Sequence, residues 1–432
     1  MLMHMALLRH KTSTIGPEER LFLASFSMRF QDSEAVSLTV RELSDSVGMP
    51  PRVVMRAVSR LASADSYLVV KKVSCGRGRP SRSYEISPEI RERLKSSAVS
   101  CPSDCLQVID HLLMPITDLR SREGCDEEAE KRIGYKQPPV RMKSDQLSLA
   151  NRWLLAVLVS HANEFGVVDE LGMADLRQLT GMTEFRLKAQ VTRLMDMGVI
   201  RSYAPGLSRS LFTGVRVRSS YVLDLSHPLL GTGVDRGGVV VIDEETEAPR
   251  EVVIRVAGGV EPVLRDYFQR LSDADFDVFW HRLDGYASFL LSRPWKAPGR
   301  LLGADLAAEL EALIGNDFQR PRGRVSGDLS IDEGHWLRVI EHFSFLAFER
   351  ARRIQAVLMG MPDWKNGGVR IQLIPTLCPR ITAVLVKPSP VPRYGCVVVK
   401  YEPWNVCELY EQEADLEIDD RHRFGLQALP KG

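Results

Sequence analysis

A chain of 432 residues, 44% apolar and 26% charged, is long enough for two to four buried cores. It holds no run of about 18 apolar residues of the kind a membrane helix needs. The net charge of +1 excludes a uniformly basic nucleic-acid coat, but the charge is unevenly spread: residues 1–97 carry +6, 98–144 carry −1, 145–226 carry +1 and 227–432 carry −5. A basic N-terminal module joined to an acidic body suggests different partners for the two ends.

The first residues are apolar but lack a basic region ahead of them and a small-residue cleavage site behind, so they are expected to be the packed or frayed start of a cytoplasmic protein. Pro17, with Glu18 and Glu19 in the first turn, opens a predicted helix carrying Leu21, Phe22, Phe26 and Phe30. Val36–Thr39 reads as a short strand whose Thr39 caps the next helix with Glu42 as its box partner. After Gly48-Met-Pro-Pro, Val54, Ala57, Val58 and Leu61 follow the i, i+3, i+4, i+7 spacing of a helix face. Residues 67–73 and 83–86 then flank a Gly/Arg turn as a hairpin.

Residues 98–144 are expected to be a linker with one helix at about 105–119. The earlier pattern then repeats: Leu43-x4-Gly48-Met49-x8-Val58-x-Arg60-Leu61 matches Leu176-x4-Gly181-Met182-x8-Val191-x-Arg193-Leu194 at a constant offset of 133. Each glycine permits the left-handed backbone that turns one helix into the next, and the spaced aliphatics hold the second helix down while freeing its other face. On the first such helix the free face carries Arg52, Met55, Arg56 and Ser59; on the second it carries Thr183, Arg186, Lys188 and Thr192, with Arg209, Arg216 and Arg218 on the hairpin that follows. Glu184 would face phosphate, so the second copy is either a weak reader of a second half-site or a dimerisation module.

The run Cys75-Gly-Arg-Gly-Arg-Pro-Ser-Arg82, followed by Tyr84-Glu-Ile-Ser, resembles the wing of the winged helix-turn-helix regulator superfamily, and Arg77-Gly78-Arg79-Pro80 is similar to the minor-groove element of AT-hook peptides. The resemblance covers residues 17–97 and 145–225. It implies that Arg52 and Arg56 contact bases or phosphates in the major groove while Arg77, Arg79 and Arg82 serve the wing, with the two wing-tip arginines in a narrow minor groove. Pro50-Pro51 departs from the usual pattern and puts contacts from the first turn of that helix in question.

Beyond residue 227 nothing resembles a known family. Residues 231–250 read as a linker or edge strand; helical patterns follow at about 261–292, 303–315 and 331–359, then alternating runs at 369–374, 381–386 and 396–401 that suggest a small antiparallel sheet, and an acidic, poorly ordered tail from 412. His335, Glu341 and His342 share one helix pattern and His281 lies on another, but Trp336, Phe343 and Phe345 beside them point to core packing. No phosphate loop, nucleophile elbow or metal-protease motif is present.

Seven cysteines, an odd number without a secretion signal, argue for free thiols. Cys101-x3-Cys105 with His111 and Cys125 invites a zinc or iron–sulfur reading, but the spacing matches no firm ligand pattern, so no metal and no cofactor is assigned. The expected fold is mainly α with small β: a winged helix-turn-helix domain (1–97), the linker (98–144), a second winged helix-turn-helix domain (145–230), an α+β domain for oligomerisation or partner binding (250–411) and the tail (412–432). The expected function is that of a cytoplasmic, nucleoid-associated, non-enzymatic transcriptional regulator binding double-stranded DNA as a homodimer, with a further protein partner on the C-terminal domain. Tandem winged helices are also similar to replication initiators of plasmids and mobile elements, and a protein-interaction scaffold is the third reading.

Overall fold

The computed structural model describes residues 3–12, 14–30, 35–63, 67–73, 81–95, 101–115, 147–169, 171–204, 219–231, 237–243, 249–260, 262–293, 303–318, 333–361, 369–375, 381–389, 394–400 and 406–429. The chain is mostly helical with small sheets. It divides into two compact units, one of Met1–Val199 and Leu223–Val234, the other of Ile200–Val222 and Asp235–Pro430. The helices of both repeats fall in the first unit.

In the first unit, α1 (Met3–Leu8) is packed, with Met5, Leu7 and Leu8 buried. The centre is made by α2 (Pro17–Arg29) and α7 (Leu149–Ser160), which are buried on nearly all sides and pack on each other. A helix apolar all round is stable only when neighbours enclose it, and the repeat supplies them. The first copy runs β1 (Val36–Leu38), α3 (Val40–Val47), α4 (Pro51–Ser63), then β2 (Leu68–Val73) and β3 (Ser81–Ile86), with the sheet order β1-β3-β2. It closes on α5 (Pro88–Lys95), whose Ile90 and Leu94 are buried. The second copy runs β4 (Val167–Val168), α8 (Met173–Thr180) and α9 (Glu184–Asp196). Gly48 and Gly181 both adopt left-handed backbone, at φ 64° and 68°, as the repeat requires.

The helix expected within residues 98–144 is present as α6 (Ser103–Leu113), and it is packed into the first unit. Cys105, Val108, Ile109, Leu112 and Leu113 are all buried, and Arg152 of α7 donates to the carbonyls of Leu112 (2.8 Å from Nε) and Met114 at its C-terminal end. Terminal carbonyls of a helix need such partners once water is excluded. This helix is a wall of the first unit.

The second unit is built on a five-stranded sheet in the order β11-β10-β7-β9-β8. Its strands are β7 (Gly238–Asp243), β8 (Arg370–Ile374), β9 (Ile381–Lys387), β10 (Cys396–Lys400) and β11 (Val406–Tyr410). β7, in the stretch expected to be a linker or edge, is the central strand: Gly-Val-Val-Val-Ile-Asp pairs antiparallel with β9 and parallel with β10, so the sheet is mixed and not antiparallel throughout. A nearly continuous apolar run suits a strand covered on both faces. Helices α10 (Pro249–Val260, missing from the expected pattern), α11 (Pro262–Arg270), α12 (Asp273–Leu291), α13 (Ala304–Asp317) and α14 (Glu333–Gly360) enclose one core with Val240, Ile242, Val384, Val386, Val397 and Val399 of the sheet. β5 (Ile200–Ala204) and β6 (Ser220–Leu223) are neighbours in a separate sheet. The tail, expected to be disordered, contains α15 (Ile418–Arg423) and buries Leu416, Phe424 and Leu426.

Candidate nucleic-acid interface

Helix α4 owes its shape to one apolar seam. Val54, Ala57, Val58 and Leu61 are buried, and the opposite side presents Arg52, Met55, Arg56 and Ser59, all exposed. The Pro50-Pro51 pair, which put the first turn in question, starts the helix cleanly. Pro51 is its first residue, and the Pro50 carbonyl accepts from the N–H groups of Val53 (2.9 Å) and Val54 (3.0 Å). Proline suits that place because its missing N–H has no helical partner anyway. Arg52 thus stands in the first turn, where the positive end of the helix dipole adds to its charge. Among the described residues neither Arg52 nor Arg56 forms an ion pair. Arg60, one turn on, is held 3.1 Å from the buried carboxylate of Glu19 on α2, which leaves it structural.

The strand pair beside this helix adds a residue that sequence reasoning missed. The β2–β3 register sets Lys72 directly opposite Arg82, both exposed. Like charges facing each other across two strands repel, and an anion between them would relieve the repulsion. Lys71 is instead balanced by Glu85 on the neighbouring strand at 3.5 Å. Only the register, itself set by the length of the connection, could have singled out Lys72. Arg77 and Arg79 lie outside the described residues, as do Arg209, Arg216 and Arg218.

The second helix of the second repeat is spent differently. Thr183 caps α9 by accepting from the Arg186 N–H at 3.3 Å. The Arg186 guanidinium binds Glu18 of α2 (2.5 Å), and Lys188 binds Glu184 (2.8 Å), which Arg177 also approaches at 3.9 Å. The Lys188 hydrogen bond and charge hold the exposed Glu184 carboxyl below its usual range. Burial works to raise the Glu18 carboxyl, but the Arg186 hydrogen bond and the charges of Arg186 and Arg56 outweigh it and hold it below its usual range. Glu18 therefore lies within the field of cations from both α4 and α9. Phe185, beside Arg186, is 86% exposed.

The turn before α9 is clamped as well. Arg20 is buried and donates to four carbonyls, those of Ile15 (2.9 Å), Leu179 (2.8 Å), His10 (3.3 Å) and Thr12 (2.5 Å). Burial lowers its guanidinium to about 10, which leaves it cationic at neutral pH. Trp153, the residue equivalent to Arg20 at the repeat offset, donates its indole N–H to the same Leu179 carbonyl at 3.2 Å. A Cβ placed on Gly181 would lie 2.3 Å from the Ile15 carbonyl oxygen. The second helix-turn-helix is thus wedged against the start of α2.

Cys101 and Cys105 come together at the start of α6; His111 sits near the other end of that helix, and Cys125 lies outside the described residues. Among the described residues no group of three or more His, Cys, Asp or Glu could hold a metal ion. On α14, His342 is buried against Phe268 and stacked on Phe345, and burial draws it down to about 4. Phe343 is fully buried, as expected of a core, whereas Phe345 is 48% exposed, contrary to that expectation. No described helix is long and apolar enough to cross a membrane. Comparison of the chain with family models, curated proteins and solved structures finds no match.

Proposed function

We propose that the chain is a transcriptional regulator that binds double-stranded DNA through its first helix-turn-helix, in the manner of winged helix-turn-helix proteins. α4 enters the major groove with Arg52 and Arg56 directed at guanine edges or phosphates and Met55 and Ser59 beside them. Lys72 and Arg82 face phosphate at the base of the wing, and Arg77 and Arg79 reach the minor groove. The observation that carries this reading is the contrast in charge use: among the described residues Arg52 and Arg56 on the exposed face of α4 form no ion pair, while the basic side chains of α9, Arg186 and Lys188, are held by Glu18 and Glu184, and the positions equivalent to Arg52 and Arg56 there are Phe185 and Ala189.

The test is a selection of random-sequence duplexes on the full chain, followed by titration of the selected duplex at several salt concentrations. The wild type is expected to enrich a motif. Arg52→Ala with Arg56→Ala should weaken binding more than about tenfold and lower the salt slope by about two, and Arg77→Ala with Arg79→Ala should do the same. No enrichment, or salt slopes unchanged in both variants, would overturn the proposal.

A further inference from the structure

Three helix ends meet at one place: the C-terminal ends of α1 and α7 and the start of α6. Arg9, just past α1, donates to the Ser160 carbonyl at the end of α7. Cys101 precedes α6 and is half-buried; Cys105, in its first turn, is fully buried with its sulfur 3.7 Å from the Asn163 carbonyl oxygen. The Cys105 thiol is hydrogen-bonded to Cys101, and the Arg9 charge acts on the same sulfur. A partly exposed thiol thus lies one helical turn from a buried one, within the field of a guanidinium.

From this geometry we infer that Cys101 and Cys105 form a peroxide-oxidisable dithiol, with Cys101 the attacking sulfur and Cys105 the resolving one. The Cys101 thiolate attacks one peroxide oxygen, the O–O bond breaks, and hydroxide leaves, to be protonated to water. The Cys105 sulfur then attacks the resulting sulfenic sulfur as its own proton passes to the departing oxygen; the S–O bond breaks and a second water leaves. Two electrons, one from each sulfur, have reduced the peroxide. The Cys105 hydrogen bond, opposed by burial and helped by the Arg9 charge, holds the Cys101 thiol below its usual range, which raises its thiolate fraction. The disulfide would bring the two sulfurs to about 2.05 Å. Burial instead pushes the Cys396 thiol up to about 12, which makes it a poor nucleophile.

The experiment treats the full chain with hydrogen peroxide, blocks remaining thiols and maps tryptic peptides by mass. Cys101 and Cys105 fall on the single peptide 96–120, and Cys407, the other half-buried thiol among the described residues, on a different one. The 96–120 peptide is expected to lose two hydrogens at least about tenfold faster than Cys407 is oxidised. In Cys105→Ser, dimedone should trap sulfenic acid on Cys101; in Cys101→Ser, Cys105 should stay unlabelled. Oxidation of Cys101 no faster than that of Cys407, or a disulfide from either cysteine to a third, would overturn the inference. The wild-type peptide mass decides even if a variant fails to fold.

Discussion

The two helix-turn-helix copies share their glycine turn, their buried aliphatics and their spacing, yet they use their second helices in opposite ways. Leu43, Met49, Val58 and Leu61 are buried in the first copy, and so are Leu176, Met182, Val191 and Leu194 in the second. What differs is the polar surround. Glu42 joins Thr39 in a complete capping box in the first copy, while the equivalent Asp175 accepts from the N–H of Gly172, which has no side chain to return the bond, and from Lys11 Nζ at 2.6 Å. Glu18 and Glu19 at the head of α2 supply one partner to each copy: Glu18 holds Arg186 in the first turn of α9, and Glu19 holds Arg60, while among the described residues Arg52 and Arg56 form no ion pair. A fold is set by the apolar positions; which copy remains open to a ligand is set by a few charges that the apolar pattern does not record.

The largest effect that separates the copies concerns the turn glycines. Alanine in left-handed backbone costs about 1–2 kcal/mol, and that is the expected cost of Gly48→Ala. Gly181→Ala adds a Cβ at 2.3 Å from the Ile15 carbonyl oxygen and 3.1 Å from Arg20 Nε. Neither neighbour can yield without breaking the Arg20 clamp, so the expected loss is about 3 kcal/mol or more. Amide exchange of peptides from α2 and α7 reads this unit apart from the other. Equal losses for the two substitutions would mean that the second turn is not wedged, and the asymmetry argued for it would fail.

How much of this was legible beforehand follows from the range of each interaction. The α4 face was read from spacing within one helix, and Arg52, Met55, Arg56 and Ser59 are all exposed as that spacing requires. The repeat offset predicted both left-handed glycines because backbone geometry is local. Glu18, however, reads in sequence as an acid at a helix start, and nothing marks its partner 168 residues away. The Arg20 bond to Leu179 spans 159 residues and leaves no periodic trace either. The central strand β7 was misplaced for a similar reason. Its valines fit a linker-flanking edge as well as a sheet centre until β9 and β10, more than a hundred residues on, come to flank it.

The next effect lies in binding. Arg186→Ala with Lys188→Ala should change affinity for the selected duplex by less than about twofold, against more than about tenfold for the Arg52 and Arg56 pair. The salt slope should stay at its wild-type value, because ion-paired cations displace few counterions from DNA. A loss comparable to that of the α4 variant would show that the Glu18 and Glu184 pairs open on binding, and the two copies would then be joint readers.

The smallest effect tests whether Glu18 enforces the difference. Glu18→Gln removes a partly exposed ion pair worth below about 1 kcal/mol. Because the folded state holds this carboxyl below its usual 4.5, its contribution is present above that value and lost as pH falls through the lower folded value. The variant's acid limb should therefore be shallower in a pH series of unfolding midpoints, with little change at neutral pH. Removing a negative charge that acts on both Arg56 and Arg186 should also tighten DNA binding, by about two- to fivefold at low salt. If Arg186, once released, reaches phosphate, the gain disappears when Arg186→Ala is added. If the gain survives, it comes from Arg56 alone, and α9 is kept from DNA by its position and not by its charge.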